Sequence, residues 1–219
     1  MYTGNLILGV DVGGSGIKGA VVDVNTGALQ TERLRLETVS ETFAELVRMH
    51  NYKGIIGCGF PAIIKQGEAH SAANISKKWI GTNVIESFSL ACNNPVEVLN
   101  DADAAGLAEM RFGLGKGQNG VVVLITIGSG LGSAMFINGK LVPNTEFGHM
   151  RLHGDIAEAY ASSKARKIND LSWTEWGERF NEYLHYLARV VNPDLIILGG
   201  GASKKFSKYE EVIDVKVPV

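Results

Sequence analysis

The sequence has few cysteines, no long apolar run and no excess of positive charge, and each absence excludes a class of protein. Its two cysteines, Cys58 and Cys92, are isolated in apolar contexts, which fits buried thiols better than a disulfide or a zinc knuckle. No apolar stretch approaches the ~20 residues that span a bilayer, and residues 1–4 lack the basic segment of a secretory signal. The net charge of −2 gives no basic field for nucleic acid or anionic membrane. We therefore expect a cytoplasmic protein that binds neither.

What the sequence does contain is glycine at the ends of apolar strands. In the first and most informative case, a predicted strand at residues 6–10 runs into a turn that combines an acid, several backbone N–H groups and a lysine. The residues concerned are Asp11, Gly13, Gly14, Ser15, Gly16 and Lys18. Exposed N–H groups of this kind form anion-binding turns, so the stretch is suited to hold phosphate.

The glycines of this turn fit two different folds. Gly14, Gly16 and Gly19 satisfy G-x-G-x-x-G, the fingerprint of a dinucleotide site, but such a turn must open a helix. Here the chain continues through a valine-rich segment to an Asn25-Thr26-Gly27 turn and then alternates, which predicts strand, turn and strand. A glycine turn between antiparallel strands, with an acid before it and a lysine after it, indicates the phosphate turn of sugar kinases, actin and Hsp70.

The same pattern, an apolar strand that runs into a glycine turn, recurs twice along the chain. Residues 121–127 predict a strand that runs into a glycine turn and a second hairpin, and residues 195–198 predict another that runs into three glycines and two lysines. The candidate phosphate contacts there are Thr126, Gly128, Gly130, Gly199, Gly200, Gly201, Lys204 and Lys205. One glycine turn is usually only a turn. Three at strand ends, two of them in repeated hairpins, predict a duplicated fold built to hold a phosphate chain.

Asp101 is the candidate for the chemistry. It follows a predicted strand at 96–99 and begins a predicted helix at 102–112, so Asn100, Asp101 or Asp103 could simply cap that helix. Alternatively, an acid at the carboxyl end of a strand beside phosphate turns could orient a substrate hydroxyl for phosphoryl transfer. The helix N-terminus is expected to lower the pKa of Asp101, which this reaction tolerates because the hydroxyl proton leaves late.

A second polar group follows the second hairpin: Glu146, His149, His153, Asp155 and Glu158. Carboxylates and neutral imidazole can bind vicinal sugar hydroxyls. His149 and His153 are four residues apart, as in some metal sites, but Gly148 and Gly154 argue against a regular helix there and no cysteine supports it. We expect no structural zinc, and a solvated surface loop is the other alternative.

Taken in order, these motifs resemble those of the ROK family of sugar kinases. The stretches that carry the resemblance are residues 11–18, 100–109, 126–132, 146–149 and 198–205. Three more resemble the polyphosphate glucokinases within that family: residues 72–82, 157–163 and 171–176. The resemblance implies an α/β protein of the two-lobed ribonuclease H-like, actin-type ATPase (sugar kinase) fold, with mixed sheets and flanking helices.

The resemblance also implies an activity and a role for each motif. The activity is phosphoryl transfer from polyphosphate, ATP or both to the 6-hydroxyl of glucose, giving glucose 6-phosphate. Asp11 would lie near the transferred phosphoryl group and its Mg2+, and Asp101 would be the base on the 6-hydroxyl. The hexose would be bound by Asn74, Asn100, Glu146, His149 and Glu158. The donor would be held by Gly13, Gly14, Lys18, Thr126, Gly128, Gly130 and residues 199–201. A homodimer is expected.

The expected division has an N-terminal lobe, 1–105, with the first phosphate hairpin and the sugar loop, and a C-terminal lobe, 106–219, with the second hairpin, the sugar motif and the donor-binding glycines. Many ROK kinases carry a cysteine-rich zinc loop after the histidine motif, and it is absent here, as in the polyphosphate glucokinases. Members usually continue beyond a strand such as that predicted at 215–219 into an Ala- and Gly-rich helix. We expect this chain to lack that helix, either because the sequence is truncated or because the protein has lost an element that ties the lobes together, and weak or absent activity is then an alternative to full kinase activity.

Two alternative functions stay open at this stage. One is an ATP-dependent ROK kinase for another hexose. The other is a truncated sugar-binding or dimerisation module without turnover. Glycine N–H groups bind any phosphate, so the donor is open as well.

Overall fold

The computed structural model describes residues 4–14, 16–37, 42–72 and 75–219. The chain divides into two compact units, Met1–Ala108 and Glu109–Val219. Each unit is built around its own mixed sheet, and the two sheets carry the glycine turns that the sequence predicts.

The first unit is centred on a five-stranded sheet in the order β3-β2-β1-β4-β7. Strand β2 pairs antiparallel with both β1 and β3, whereas β4 pairs in parallel with both β1 and β7. In chain order its elements are β1 (Leu6–Gly13), β2 (Gly16–Asp23), β3 (Leu34–Leu36), α1 (Thr42–Met49), β4 (Ile56–Phe60), β5 (Ile64–Lys65), β6 (Glu68–Ala69), α2 (Val84–Cys92), β7 (Val96–Asn100) and α3 (Asp101–Phe112).

Close packing of α1 on this sheet explains the glycine that completes the dinucleotide fingerprint. A side chain at Gly19 would overlap Leu46 of α1, so the glycine serves helix-on-sheet contact. Phe43 of α1 stacks on Phe88 of α2 with ring centroids 4.0 Å apart, and both rings are buried. Such aromatic pairs bury large apolar areas, and this one anchors the two helices on the same apolar core.

The second unit has a four-stranded sheet in the order β10-β9-β8-β13, in which only β8 and β13 are parallel. Its elements in chain order are β8 (Val121–Ile127), β9 (Leu131–Ile137), β10 (Lys140–Val142), β11 (Arg151–Leu152), β12 (Asp155–Ile156), α4 (Ala157–Ala161), α5 (Ser163–Ile168), α6 (Trp173–Val191), β13 (Leu195–Gly199) and α7 (Gly200–Ser203).

Local signals mark both ends of the long helix α6. Ser172 accepts a hydrogen bond from Glu175 N–H while the Glu175 carboxylate accepts one from Ser172 N–H, which completes a capping box. Asn192 ends the helix in the left-handed conformation, with φ 49°. One face of α6, including Trp176, Phe180 and Leu184, is fully buried in the second core.

The prediction of a strand at 215–219 is wrong, because those residues form no strand. Val215 and Val217 pack against the second core, and Ile196 N–H donates a hydrogen bond to Pro218 O at 2.9 Å. Proline has no N–H to return such a bond, so the segment lies beside β13 without forming a ladder.

Candidate active site

The first glycine turn joins two antiparallel strands, which confirms the strand, turn and strand prediction and excludes the helix that a dinucleotide site needs. In the register of β1 and β2, Gly13 faces Gly16 and Asp11 faces Lys18. Asp11 therefore lies within β1 and not in the turn itself, which is shorter than predicted. Ser15 lies outside the described residues.

The two charged residues beside this turn form an exposed ion pair. Lys18 Nζ lies 3.3 Å from Asp11 Oδ2, and the side chains are 37% and 58% exposed. Exposed pairs of this kind add little to stability. The pair thus leaves both a carboxylate and an ammonium group accessible beside the backbone turn.

Asn100 caps α3, and this decides between the candidates for that role. Its side-chain Oδ1 accepts hydrogen bonds from Ala102 N–H at 2.9 Å and from Asp103 N–H at 3.2 Å. Its Nδ2 donates to Ala62 O at 3.2 Å, so the carboxamide is held from both sides. The Asp101 carboxylate accepts a hydrogen bond from Ala102 N–H at 2.9 Å. Asn100 is therefore the residue that caps α3, and Asp101 is available for another role.

The pKa of Asp101 shifts in the direction opposite to that predicted. Burial raises it to about 6, the hydrogen bond from Ala102 N–H lowers it, and the negative charge of Asp11 raises it further. Part of the residue is still exposed, so the carboxyl group is accessible although protein atoms exclude much of the water around it. The helix N-terminus does not dominate, because neighbouring segments of the unit desolvate the group more strongly than the helix end stabilises its charge.

Gly59 lies between Asp11 and Asp101, and no motif in the sequence marks it. It pairs with Asp11 across β1 and β4. A Cβ built on Gly59 would lie 3.5 Å from the Cα of Asp101. An alanine would make ordinary contact there, whereas a larger side chain would occupy the space beside Asp101. The signal for Gly59 is a glycine at the end of an apolar strand, which looks like a packing feature in the sequence.

In the second unit, the second and third glycine turns lie side by side. Strands β8 and β13 are parallel, with Gly199 paired to Thr126, and Gly200 forms a bridge with Ile127. Gly200 has φ +80°, and a Cβ there would lie 2.6 Å from Ile127 O, so only glycine fits. Parallel strands present their carboxyl ends at one edge, the usual ligand edge of such sheets.

Some of the polar groups predicted to bind the donor already have partners or lie at the surface. The N–H of Gly128 donates to Gly130 O at 3.0 Å within the second turn. Lys204 and Lys205 are exposed just after α7. The turn therefore offers fewer backbone donors than a count of its glycines implies.

Glu146, His149 and Glu158 come together beside the second turn. His149 Nδ1 lies 3.8 Å from Glu146 Oε2, and His149 Nε2 lies 4.0 Å from Glu158 Oε1. Glu158 also accepts a hydrogen bond from Leu131 N–H at 3.2 Å. A side chain at Gly130 would overlap the Glu158 carboxylate, so this glycine makes room for the acid. The cluster offers several acceptors to one group of hydroxyls.

His153 belongs to a different group of side chains. Its Nε2 lies 2.7 Å from Glu182 Oε1, and its ring lies against Tyr160 with centroids 4.7 Å apart. His149 and His153 therefore face different partners. Across the described ranges, no group of three or more His, Cys, Asp or Glu side chains has a metal-binding arrangement.

Asn74, the remaining predicted hexose contact, lies outside the described residues.

The first unit carries Asp11 and Asp101, and the second carries the cluster of Glu146, His149 and Glu158. Together with the fold, these side chains define a class of protein, the ROK sugar kinases of the actin-type ATPase fold. The ROK family model matches residues 7–165, and the chain belongs to that family. No helix among the described residues is long and apolar enough to cross a membrane.

Several relatives share most of the chain. It is 42% identical to a polyphosphate glucokinase of Mycobacterium tuberculosis over 220 residues, which cover 96% of this chain and 83% of that protein. Its structure is similar to that of the inorganic polyphosphate/ATP-glucomannokinase of Arthrobacter sp. strain KM, with a TM-score of 0.93, 40% identity, and coverage of 97% and 90% of the two chains. A ROK glucokinase of Streptomyces griseus shares the fold at a TM-score of 0.78 and 22% identity, with coverage of 94% and 88%.

Proposed function

We propose that the protein transfers a phosphoryl group from polyphosphate or ATP to the 6-hydroxyl of glucose, giving glucose 6-phosphate. The observation that carries the proposal concerns Asp101. Its carboxylate is accessible beside the first phosphate turn, and Asn100, not Asp101, caps α3. The similarity to polyphosphate glucokinases supports the same reaction, since it extends over 96% of the chain.

Asp101 acts as the base and the positioning group. Its carboxylate accepts a hydrogen bond from the 6-hydroxyl and directs the oxygen towards the phosphorus atom. In a loose transition state the bond to the donor breaks early and the proton passes to Asp101 late, so orientation contributes more than basicity. With a pKa raised to about 6, Asp101 is mostly ionised at neutral pH and still basic enough to take the proton.

The cluster in the second unit binds the other hydroxyls of the sugar. Glu146 and Glu158 accept hydrogen bonds, and His149 lies within 4.0 Å of both carboxylates. Asn100 and Asn74 complete the hexose contacts. A sugar without the matching hydroxyl leaves these acceptors unpaired, and that penalty provides the selectivity.

Backbone N–H groups and a lysine side chain hold the donor phosphates. Lys18 and the turn of residues 13–16 bind in the first unit. Thr126, the second turn and residues 199–201 bind at the shared edge of β8 and β13 in the second unit.

Mg2+ fits the donor set that Asp11 offers. The Asp11 carboxylate is 58% exposed and provides the oxygen ligands that this ion prefers. When bound, Mg2+ neutralises charge on the transferred phosphoryl group. Lys18, now 3.3 Å from Asp11, would then be available to the phosphate oxygens.

We also propose that the enzyme is a cytoplasmic homodimer, supported by the family resemblance. Light scattering of the purified chain tests the dimer, because a monomer mass at micromolar concentration would contradict it.

The deciding experiment measures glucose 6-phosphate formation with long-chain polyphosphate and with ATP. Glucose and mannose should be compared as acceptors, because one similar structure is a glucomannokinase. Product with glucose and either donor supports the proposal. Product only with ATP and another hexose would identify a different ROK kinase, and sugar binding without product under all conditions would identify a binding module.

A further inference from the structure

A buried serine on β9 lies next to the segment that carries Glu146. Ser133 is only 1% exposed. It stands on the same strand face as Leu131, since residues two apart on a strand point the same way. A buried hydroxyl group is costly unless hydrogen bonds replace the water that it loses. The partners of Ser133 therefore show what its hydroxyl group holds in place.

The hydroxyl group of Ser133 binds the backbone on both sides of Glu146. Its Oγ donates a hydrogen bond to Thr145 O at 2.8 Å and accepts one from Phe147 N–H at 2.9 Å. In return, Thr145 Oγ1 donates to Ser133 O at 3.2 Å. Three hydrogen bonds thus tie residues 145 and 147 to one position of β9, and the residue between them is Glu146.

The segment held in this way has little regular structure of its own. Residues 143–146 belong to no helix or strand, and a single 3-10 turn, Phe147–His149, follows them. Backbone groups outside helices and sheets are paired by side chains, other backbone segments or water. The buried side chain of Ser133 provides such pairing at a fixed place, because it stands on a paired strand of the sheet.

The cluster of Glu146, His149 and Glu158 contacts the same strand through its other members too. Leu131 N–H donates to Glu158 Oε2 at 3.2 Å. A Cβ on Gly148, the residue before His149, would overlap Leu131 O, so the 3-10 turn packs directly on β9. Strand β9 is therefore a common support for the whole cluster.

We propose that Ser133 is a positioning residue for the hexose: with Thr145 it fixes the backbone around Glu146 and so directs that carboxylate towards the sugar hydroxyls. This inference rests on the proposed function, because it takes the cluster to be the sugar site. Hydrogen bonds weaken steeply as their geometry departs from the ideal, so a small displacement of Glu146 should cost affinity. Loss of the Ser133 hydroxyl group should therefore weaken glucose binding and leave donor binding unchanged.

Direct binding is the first test, since it does not depend on turnover. Isothermal titration with glucose should compare wild type, Ser133→Ala and Ser89→Ala. Ser89 is the matched control, because its hydroxyl group likewise accepts a hydrogen bond from a backbone N–H, that of Val96 at 3.2 Å, but at the start of β7 in the first unit. We expect Ser133→Ala to bind glucose about five- to tenfold more weakly, the scale of one lost hydrogen bond. Ser89→Ala should bind glucose like wild type.

Steady-state kinetics separates positioning from a general structural role. Ser133→Ala should raise KM for glucose by a similar factor and leave kcat and the KM values for ATP and polyphosphate close to those of wild type. Both alanine variants should melt at a lower temperature, because each leaves a backbone N–H without its acceptor. Only Ser133→Ala should combine that loss of stability with a rise in KM for glucose.

A double-mutant cycle tests whether Ser133 acts through Glu146. Glu146→Gln should weaken glucose binding by itself. Adding Ser133→Ala to it should cause little further loss, because the group that Ser133 positions has already been changed.

Thr145→Val provides a milder change at a partly exposed position. It removes the bond to Ser133 O and leaves the two bonds of the Ser133 hydroxyl group. It should raise KM for glucose less than Ser133→Ala does, and it decides the question if Ser133→Ala does not fold.

Three results would overturn the inference. These are wild-type glucose affinity in Ser133→Ala or, where that variant does not fold, in Thr145→Val; an equal loss in Ser89→Ala; or fully additive losses in the cycle with Glu146→Gln. Failure of the proposed function looks different. A wild type that binds glucose but forms no glucose 6-phosphate would refute the function, while the titrations would still decide the role of Ser133. A wild type that binds no hexose would overturn both.

Discussion

The two hairpins have the same backbone plan but different surroundings. At the first, charged residues stand on the strands themselves, with Asp11 opposite Lys18. At the second, the corresponding strands carry no charge near the turn. Thr126 faces Gly132 there, and a carboxylate from α4, Glu158, binds Leu131 N–H. A glycine turn thus determines only a backbone shape, and the side chains brought to it decide its chemistry. We expect the first unit to control the chemical step and the second to control affinity.

The largest effect expected is on the first unit. Asp101→Asn should lower kcat by about 100-fold or more, as is typical when a general base is removed. The substitution should not destabilise the protein, because Asn100 caps α3. Asn100→Ala provides the contrast and should destabilise the protein by about 1 kcal/mol through loss of the cap. Thermal unfolding and initial rates on both variants make the comparison. A folded Asp101→Asn protein with near-normal kcat would contradict the assignment of Asp101 as base.

The pH dependence should report the same carboxyl group. Its pKa is raised to about 6, so kcat/KM should fall about tenfold per pH unit below pH 6, where protonated Asp101 cannot accept the hydroxyl proton.

Folding stability should depend on pH in the opposite direction to kcat/KM, because the contribution of Asp101 to stability decreases as the pH rises. A raised pKa means that the folded state binds the proton more tightly than the unfolded chain, in which Asp has a pKa of about 3.9. The stability that protonated Asp101 provides is therefore complete below pH 3.9 and is lost as the pH rises through about 6. Measured against Asp101→Asn, the wild type should lose stability over that interval. A pH-independent difference between the two would show that Asp101 titrates normally.

A smaller effect is expected in the second unit, and on KM rather than kcat. Glu158→Gln should raise KM for glucose by about tenfold, because the neutral amide makes a weaker hydrogen bond than the carboxylate. Its amide oxygen can still accept from Leu131 N–H, so the turn should stay intact. Glu178→Gln, an exposed position on α6, is the control and should leave KM unchanged. A fall in kcat without a change in KM would contradict a role in sugar binding and would indicate that Glu158 acts in the chemical step.

The smallest effect concerns the lysines after the third turn. Lys204→Ala with Lys205→Ala should raise KM for long-chain polyphosphate a few-fold and KM for ATP less, because exposed lysines contact a long anion along its length. Added salt should narrow the gap between the donors, since it screens exposed charges. Lys164→Ala with Lys167→Ala removes two exposed lysines from α5 and serves as the matched control. Equal losses for both donors would place these lysines at the triphosphate site that ATP and polyphosphate share.

The sequence by itself determined the parts of this protein that depend on short-range signals. Both hairpins follow from apolar strands separated by glycine. Helix α2 runs over Val84–Cys92 between two local signals, since Asn83 caps its start and Asn93 ends it in the left-handed conformation. The capping box of α6 is another local pattern. Each of these features forms within a few residues, so the chemistry of those residues is enough to predict it.

Only the tertiary structure decided the features that depend on distant segments. Residue types named three candidates for the cap of α3, and the approach of Ala62 to Asn100 Nδ2 favoured one of them. The pKa of Asp101 rises because other segments remove its water, which outweighs the local helix end. The register of β3 puts Arg35 beside a turn about twenty residues away, and the surroundings of His149 and His153 separate two histidines that look alike in the sequence. Desolvation and strand register are sums over neighbours that are remote in the chain, and no local pattern contains them.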